Sequence, residues 1–208
     1  MTLFLMKKEI FTSLAKTFNE NGFLLYMIGG TSRDYLLGLG VLDYDFVTDA
    51  TPEEMKAFLP NANYRFEQFG TVRLKIEDVH VDITTLRIEG EYNDLRHPSK
   101  IEYVKDVNQD YVRRDFTINA IYIDEKFNVI DPSGLGIEDL KNKIIRFIGE
   151  PSKRIKEDPL RIVRAERFET KLKFSIEPKT AMAMKKYRYL LDEINPDKIK
   201  EEYRKMNK

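Results

Sequence analysis

Apolar residues along the chain change their period several times, and each change marks an element. Ile10, Phe11, Leu14 and Phe18 recur at helical spacing and stop at Gly22, which predicts a helix over residues 3–21. Residues 23–28 form an unbroken apolar run between Gly22 and Gly29, the pattern of a buried strand. A glycine pair follows, then a short helix over 32–37 and a second strand over 42–47. Thr51-Pro52-Glu53-Glu54 is a helix start, with Thr51 as cap and Pro52 in the first position. Val72, Leu74 and Ile76 alternate, as do Val79, Val81 and Ile83, with Glu77-Asp78 between them, so a hairpin is expected. Residues 88–103 are polar and rich in turn formers, a loop that a substrate would order. Residues 113–120 read as a helix leading into a strand at 121–123, and 131–136 is a turn cluster with Asp131-Pro132, Gly134 and Gly136. From about residue 151 the pattern turns helical. The expected organisation is a catalytic domain over 1–148 and a helical segment over 149–208.

Composition narrows the class. With 42% apolar and 34% charged residues the chain reads as a folded protein rather than a disordered one. Its 35 basic and 35 acidic residues cancel, so charge matters only where it is concentrated. Residues 146–173 hold such a concentration: Arg146, Lys153, Arg154, Lys156, Arg161, Arg164, Arg167, Lys171 and Lys173. The lysines read as a solvated helix face; the arginines call for another explanation. Absence of cysteine excludes disulfide and thiolate chemistry. Two histidines, His80 and His97, supply a zinc site or a Ser-His-Asp triad poorly. No apolar run approaches the ~20 residues of a membrane span, and the first eight residues lack the order of a signal peptide, so a cytoplasmic protein without membrane or obligate protein partner is expected.

Four segments carry chemistry. Asp43 and Asp45 stand at i and i+2 on a strand, so both carboxylates face one side, a hard oxygen donor pair that suits Mg²⁺ carrying phosphates. Asp82 lies on the second strand of the hairpin with Val81 and Ile83 turned to the core; it reads either as a third carboxylate of that site or as a solvated strand residue. Gly29 and Gly30 permit close backbone approach, the following helix start offers N–H groups to an anion, and Arg33 adds a forked donor; alternatively Arg33 and Asp34 pair on the surface. Arg113-Arg114-Asp115, with Asn119 beyond, places two cations in apolar surroundings, where burial demands partners. One arginine could reach a triphosphate while Asp115 orients its neighbour; alternatively the segment is a surface helix start with an internal ion pair. Asp158, Arg161 and Arg164 fall at steps of three on one helix face and could read a base edge, Asp accepting and Arg donating; Asp158 before Pro159 is equally a helix cap.

These segments, in this order, resemble the class II tRNA nucleotidyltransferases (CCA-adding enzymes) and the related bacterial poly(A) polymerases of the polymerase β-like superfamily. The matching stretches are Gly29-Gly30-x-x-Arg33-Asp34, Asp43-x-Asp45, Arg113-Arg114-Asp115-Phe116-Thr117-Ile118-Asn119-Ala120 and Glu157-Asp158-x-x-Arg161, with weaker matches at Asp82-Ile83-Thr84-Thr85-Leu86-Arg87 and in the loop from Glu89 to Pro98. The resemblance implies an α+β fold, a nucleotidyltransferase head with a mixed β-sheet and flanking helices, followed by an α-helical neck. It implies that Asp43 and Asp45 bind Mg²⁺, that Gly30, Arg33 and one of Arg113 and Arg114 hold the triphosphate, and that Asp158 and Arg161 select CTP and then ATP, supported by Arg164 and Arg167. The 88–98 loop would switch selection from C to A, and its presence argues against an enzyme adding only CC. The acceptor would be the 3′ end of tRNA. Family members continue into further helical domains beyond the position of Lys208. A poly(A) polymerase, an A-adding enzyme and an idle nucleotide- or RNA-binding module are the other readings. An aminoglycoside-type transferase should lack the Arg-Arg-Asp and Glu-Asp-x-x-Arg segments.

Overall fold

The computed structural model describes residues 2–40, 44–76, 78–90 and 99–207, and the side chains of these apart from 2–7 and 207. Two compact units emerge. The first comprises Met1–Ile88, Ile101–Tyr111 and Asn119–Pro132; the second takes Glu89–Lys100, Val112–Ile118 and Ser133–Lys208.

The first unit is built on a mixed six-stranded sheet. Its elements are α1 (Thr2–Glu20), β1 (Leu25–Met27), α2 (Gly29–Leu36), β2 (Tyr44–Thr48), α3 (Pro52–Phe58), β3 (Thr71–Ile76), β4 (Val79–Thr85), most of β5 (Arg87–Glu89), β6 (Ile101–Tyr103), α4 (Val107–Asp110), β7 (Tyr122–Ile123) and β8 (Val129–Ile130). The sheet order is β3-β4-β2-β1-β7-β8, and β5 and β6 pair separately. β2 and β4 run parallel; the other neighbours in the large sheet are antiparallel. Apolar side chains on one face of β2 and β4 (Tyr44, Phe46, Val81 and Ile83) meet Phe11, Leu14 and Phe18 of α1 in a core that excludes water. Phe11 lies 5.2 Å from Phe46, and Phe18 meets Phe58 of α3 edge-on at 5.0 Å. The expected hairpin forms as β3 and β4, with Glu77 outside the described residues. At α3 the Thr51 hydroxyl accepts from the Glu54 amide and the Glu54 carboxylate accepts from Thr51, a complete capping box.

The second unit holds α5 (Gly136–Asn142), β9 (Ile144–Ile145), α6 (Pro151–Glu157), α7 (Leu160–Leu172), β10 (Ser175–Ile176), α8 (Pro178–Tyr187) and α9 (Pro196–Arg204). It is chiefly helical, as expected, but β9 and β10 add a short parallel ladder. Residues 113–120 do not form the expected helix. Phe116 bridges to Phe147, the Thr117 amide donates to the Arg146 carbonyl and the Ile148 amide donates to the Asp115 carbonyl. This pairing claims the backbone groups that a helix would need, and only single 3-10 turns flank it, at Tyr111–Arg113 and Thr117–Asn119. Burial drives the choice: Phe116 is fully buried, stacked on Phe147 at 5.1 Å and edge-on to Phe168 at 5.5 Å. Most of the 88–98 loop, residues 91–98 with His97, lies outside the described residues.

Candidate active site

In the first unit the functional candidates gather on the face of the sheet opposite the α1 core. The parallel register of β2 and β4 sets Asp45 directly beside Asp82. Asp82 therefore stands where a third carboxylate would, with its neighbours Val81 and Ile83 fully buried behind it. In the adjacent strand Arg73 is in register with Asp82 and grips it with two hydrogen bonds, Nε to Oδ1 at 2.6 Å and Nη2 to Oδ2 at 2.7 Å. Both partners are well exposed, 44% for Arg73 and 31% for Asp82, so the pair contributes only on the order of 0–1 kcal/mol and can be exchanged for a stronger cation. Asp43 lies outside the described residues.

The glycine pair does more than turn the chain. α2 begins at Gly29 itself rather than after the pair, with Gly29 at φ +65°. A Cβ at Gly29 would sit 3.4 Å from Asp45 Oδ2, and one at Gly30 would sit 3.9 Å from the same atom. The Asp45 carboxylate thus lies in van der Waals reach of the helix start, and it is the left-handed φ of Gly29 that favours glycine there. Two further bonds fix this geometry: the Asp45 amide donates to Thr31 Oγ1 at 2.7 Å, and the Ile28 amide donates to the Asp45 carbonyl at 3.1 Å. Thr31, a residue the motif reading passed over, is buried and links α2 to β2. Arg33 is also buried, at 5% exposure, and its guanidinium is held by Asp34 (Nε to Oδ1, 2.9 Å) and by Asn119 (Nη1 to Oδ1, 2.8 Å). The Arg33–Asp34 pair forms, but inside the unit rather than on its surface.

The donor set on this face is oxygen only, carboxylates on adjacent strands, which fits a hard divalent cation such as Mg²⁺. Among the described residues there is no group of three or more acidic or histidine side chains arranged as a metal cage.

The second unit gathers the arginines. Arg161, at 5% exposure, donates from Nη1 to Glu157 Oε2 at 2.9 Å and to the Arg154 carbonyl at 2.8 Å. Arg154 binds the same carboxylate oxygen at 2.5 Å and donates from Nη2 to the carbonyls of Arg113 (2.6 Å) and Arg114 (2.8 Å). Arg113 faces Glu89 at 3.6 Å. Arg164 clasps Asp115 through both Nε and Nη2, and the Phe116 amide donates to Asp115 Oδ1 at 2.8 Å. Burial pushes the Asp115 carboxyl up, but the Arg164 charge and hydrogen bonds, the Phe116 amide and the Arg161 charge outweigh it and hold the group down at about 2. The Asp115 charge in turn raises the Arg164 guanidinium further. Asp115 is expected to orient the adjacent arginine; in the structure it binds Arg164, far along the chain. Asp158 ends α6 and accepts from the amide of Leu160, the first residue of α7, at 3.0 Å, while standing three residues before Arg161. Arg167 is tied to the buried Glu202 of α9 at 2.8 Å. All five arginines of the basic stretch pair with acids, whereas Lys153, Lys156, Lys171 and Lys173 are exposed. Arg154, which no motif names, and Glu157, to which no role is given, complete the cluster; for Arg154 the signal is one more arginine in a stretch whose arginines call for partners.

A family model, Poly A polymerase head domain, matches residues 25–146. The CCA-adding enzyme of Lactobacillus helveticus is 42% identical over 191 residues, covering 92% of this chain and 48% of that protein. The crystal structure of the Bacillus stearothermophilus CCA-adding enzyme in complex with CTP superposes with a TM-score of 0.85 at 34% identity, over 94% of this chain and 47% of that one. A tRNA nucleotidyltransferase complexed with a primer tRNA and an incoming ATP analog matches with a TM-score of 0.72 at 33% identity, over 93% of this chain and 54% of that one. The chain therefore spans about half the length of the curated relatives it matches. The family model covers more than half of the 208 residues, and by that match the chain belongs to the Poly A polymerase head domain family.

Proposed function

We propose that this chain carries the catalytic and nucleotide-selecting portion of a Mg²⁺-dependent tRNA nucleotidyltransferase, which adds CMP and AMP from CTP and ATP to the tRNA 3′ end to build CCA. The observation that carries the reading is the Asp45–Asp82 register over the glycine start of α2. In this reading the 3′-hydroxyl oxygen of the RNA bonds to the α-phosphorus, the bond from that phosphorus to the β-phosphate oxygen breaks, pyrophosphate leaves and the hydroxyl proton passes to solvent. Asp43 and Asp45, with Asp82 beside them, would hold Mg²⁺. When bound, Mg²⁺ supplies positive charge that eases ionisation of the hydroxyl and neutralises the triphosphate.

The chain's own residues supply position. Gly30 and the α2 start offer backbone donors, and Arg33, already fixed by Asp34 and Asn119, adds a rigid fork toward phosphate. Arg113 or Arg114 adds charge for the triphosphate. Asp158 and Arg161 read the base, with Arg164 and Arg167 as support. A base edge read by one acceptor and one fork distinguishes cytosine and adenine from uracil and guanine, which present the opposite pattern of donor and acceptor at the exocyclic position. Rate enhancement then comes from orientation and electrostatics, and no histidine is needed.

The test is incorporation of labelled CTP and ATP onto tRNA transcripts ending before CCA, after C and after CC. Two C additions and one A support CCA addition. ATP use on the CC-ending transcript alone identifies an A-adding enzyme, and long A tails identify a poly(A) polymerase. Nucleotide binding without incorporation identifies a module that has lost its grip on RNA.

A further inference from the structure

We infer that Arg154 is a positioning residue that ties base selection to triphosphate binding within the second unit. The inference rests on the function proposed above and deepens it. Arg154 belongs to none of the four motifs, yet it sits at the centre of their geometry. Its Nη2 gathers two consecutive carbonyls, Arg113 at 2.6 Å and Arg114 at 2.8 Å. Successive carbonyls of an extended segment diverge, so one donor reaches both only if the backbone is held in a bend; here the 3-10 turn Tyr111–Arg113 supplies it. Where those carbonyls point determines where the Arg113 and Arg114 side chains leave the backbone. Arg154 therefore holds the backbone from which both candidate triphosphate arginines leave, whichever of the two reaches the ligand.

The same guanidinium reaches the base-reading side. Its Nη1 binds Glu157 Oε2 at 2.5 Å, and that oxygen is also the acceptor for Arg161 Nη1 at 2.9 Å. Arg161 returns a bond to the Arg154 carbonyl at 2.8 Å. Arg154, Glu157 and Arg161 thus form a closed ring one helical turn apart on α6 and at the head of α7. Burial makes the ring rigid: the side chains of Arg154, Glu157 and Arg161 are 9%, 16% and 6% exposed. The shared Glu157 carboxylate holds both guanidiniums, and burial makes breaking either pair costly, because it would leave a charge uncompensated away from water. A lysine at 154 would supply charge as a single point. It cannot serve Glu157 and two carbonyls with the planar fork that the distances describe.

The experiment is titration of CTP, ATP and UTP into the purified wild-type protein and the Arg154→Lys, Arg154→Met and Glu157→Gln variants, with melting temperature recorded alongside. Wild type is expected to bind CTP and ATP more tightly than UTP. Arg154→Lys is expected to raise the Kd for CTP and ATP by about tenfold or more and to shrink their preference over UTP. Loss of preference is the decisive readout, since a merely structural contribution lowers melting temperature and leaves the ratio between nucleotides unchanged. Glu157→Gln should move the ratio in the same direction by less, because its amide oxygen can still accept both bonds and only the carboxylate charge is lost. Should Arg154→Met fail to fold, Arg154→Lys carries the test. Wild-type affinity and preference in Arg154→Lys would overturn the inference while leaving the proposed function standing. Failure of the wild-type protein to bind CTP or ATP would overturn both.

Discussion

The carboxylate face of the first unit and the arginine cluster of the second hold their charges in opposite ways. On the carboxylate face Asp82 is about a third exposed and pairs with Arg73, itself well exposed to solvent. In the cluster, Arg154, Glu157 and Arg161 are nearly sealed from water and bind one another and the Arg113–Arg114 backbone. The difference matches two tasks. Groups that must take up a cation and an anionic ligand need partners they can exchange at small cost. Groups that must discriminate one base from another need a geometry that does not relax around the wrong ligand, and buried, mutually satisfied networks provide it. Under the function proposed above, chemistry and selection would call for these different degrees of internal satisfaction.

That contrast can be broken at its strongest point first. Asp45→Asn removes a charge at the centre of the carboxylate face while keeping its shape, and the Asp45 amide bond to Thr31 is made by the backbone and survives. Nucleotide incorporation is expected to fall on the order of a thousandfold, with the melting temperature little changed, as read by primer extension and calorimetry. Near-normal incorporation would remove Asp45 from the chemistry.

Gly29→Ala probes how closely Asp45 and the helix start are packed. A Cβ there sits 3.4 Å from Asp45 Oδ2 on a backbone at φ +65°. The substitution is expected to cost about 1–2 kcal/mol in chemical denaturation through the left-handed backbone, and to lower activity as the strained turn shifts the helix start beside Asp45. A neutral effect on both would mean that the approach is not required.

Asp115→Asn tests the cluster through pH. The Asp115 carboxyl, held at about 2 in the folded chain against an ordinary 3.8, contributes stability that is present above the unfolded value and is lost as pH falls through the folded one. In wild type this contribution, on the order of 2 kcal/mol, should drain away between about pH 4 and pH 2. In Asp115→Asn the part of the acid dependence due to this residue should be missing, which urea denaturation at stepped pH will read. An unchanged slope across that window would contradict the pairing with Arg164.

The smallest effect is a control. Thr51→Ala breaks the capping box of α3, away from every candidate residue, and should lower stability by about 1 kcal/mol with incorporation unchanged.

What could be read along the chain follows the range of the forces involved. α1, the β3–β4 hairpin and the Thr51 cap are decided by neighbours within a few residues, and the sequence reading placed them correctly. Residues 113–120 were read as a helix because the signal there is local, whereas the outcome is set by Phe147 and Arg146, about thirty residues away. The ladder of β9 and β10, two residues each, leaves no periodic trace. The units likewise collect residues 89–100 and 112–118 with the helical part, a grouping that no change of pattern near residue 149 announces. Within the site, the motif residues themselves were visible, since carboxylates at i and i+2 and a glycine pair are chemical signals. Arg154 and Thr31 were not, because each acts through backbone groups, and a sequence pattern does not display where a carbonyl or an amide points.

The measurement that bears most directly on the division of labour compares Asp45→Asn with Arg161→Ala, using all four nucleoside triphosphates as donors onto a tRNA transcript lacking CCA. Asp45→Asn is expected to lower incorporation of every nucleotide in the same proportion, and Arg161→Ala to narrow the preference for CTP and ATP over UTP and GTP. If Arg161→Ala instead lowers all four equally while preserving the preference, base selection does not reside in the arginine cluster and the account is wrong.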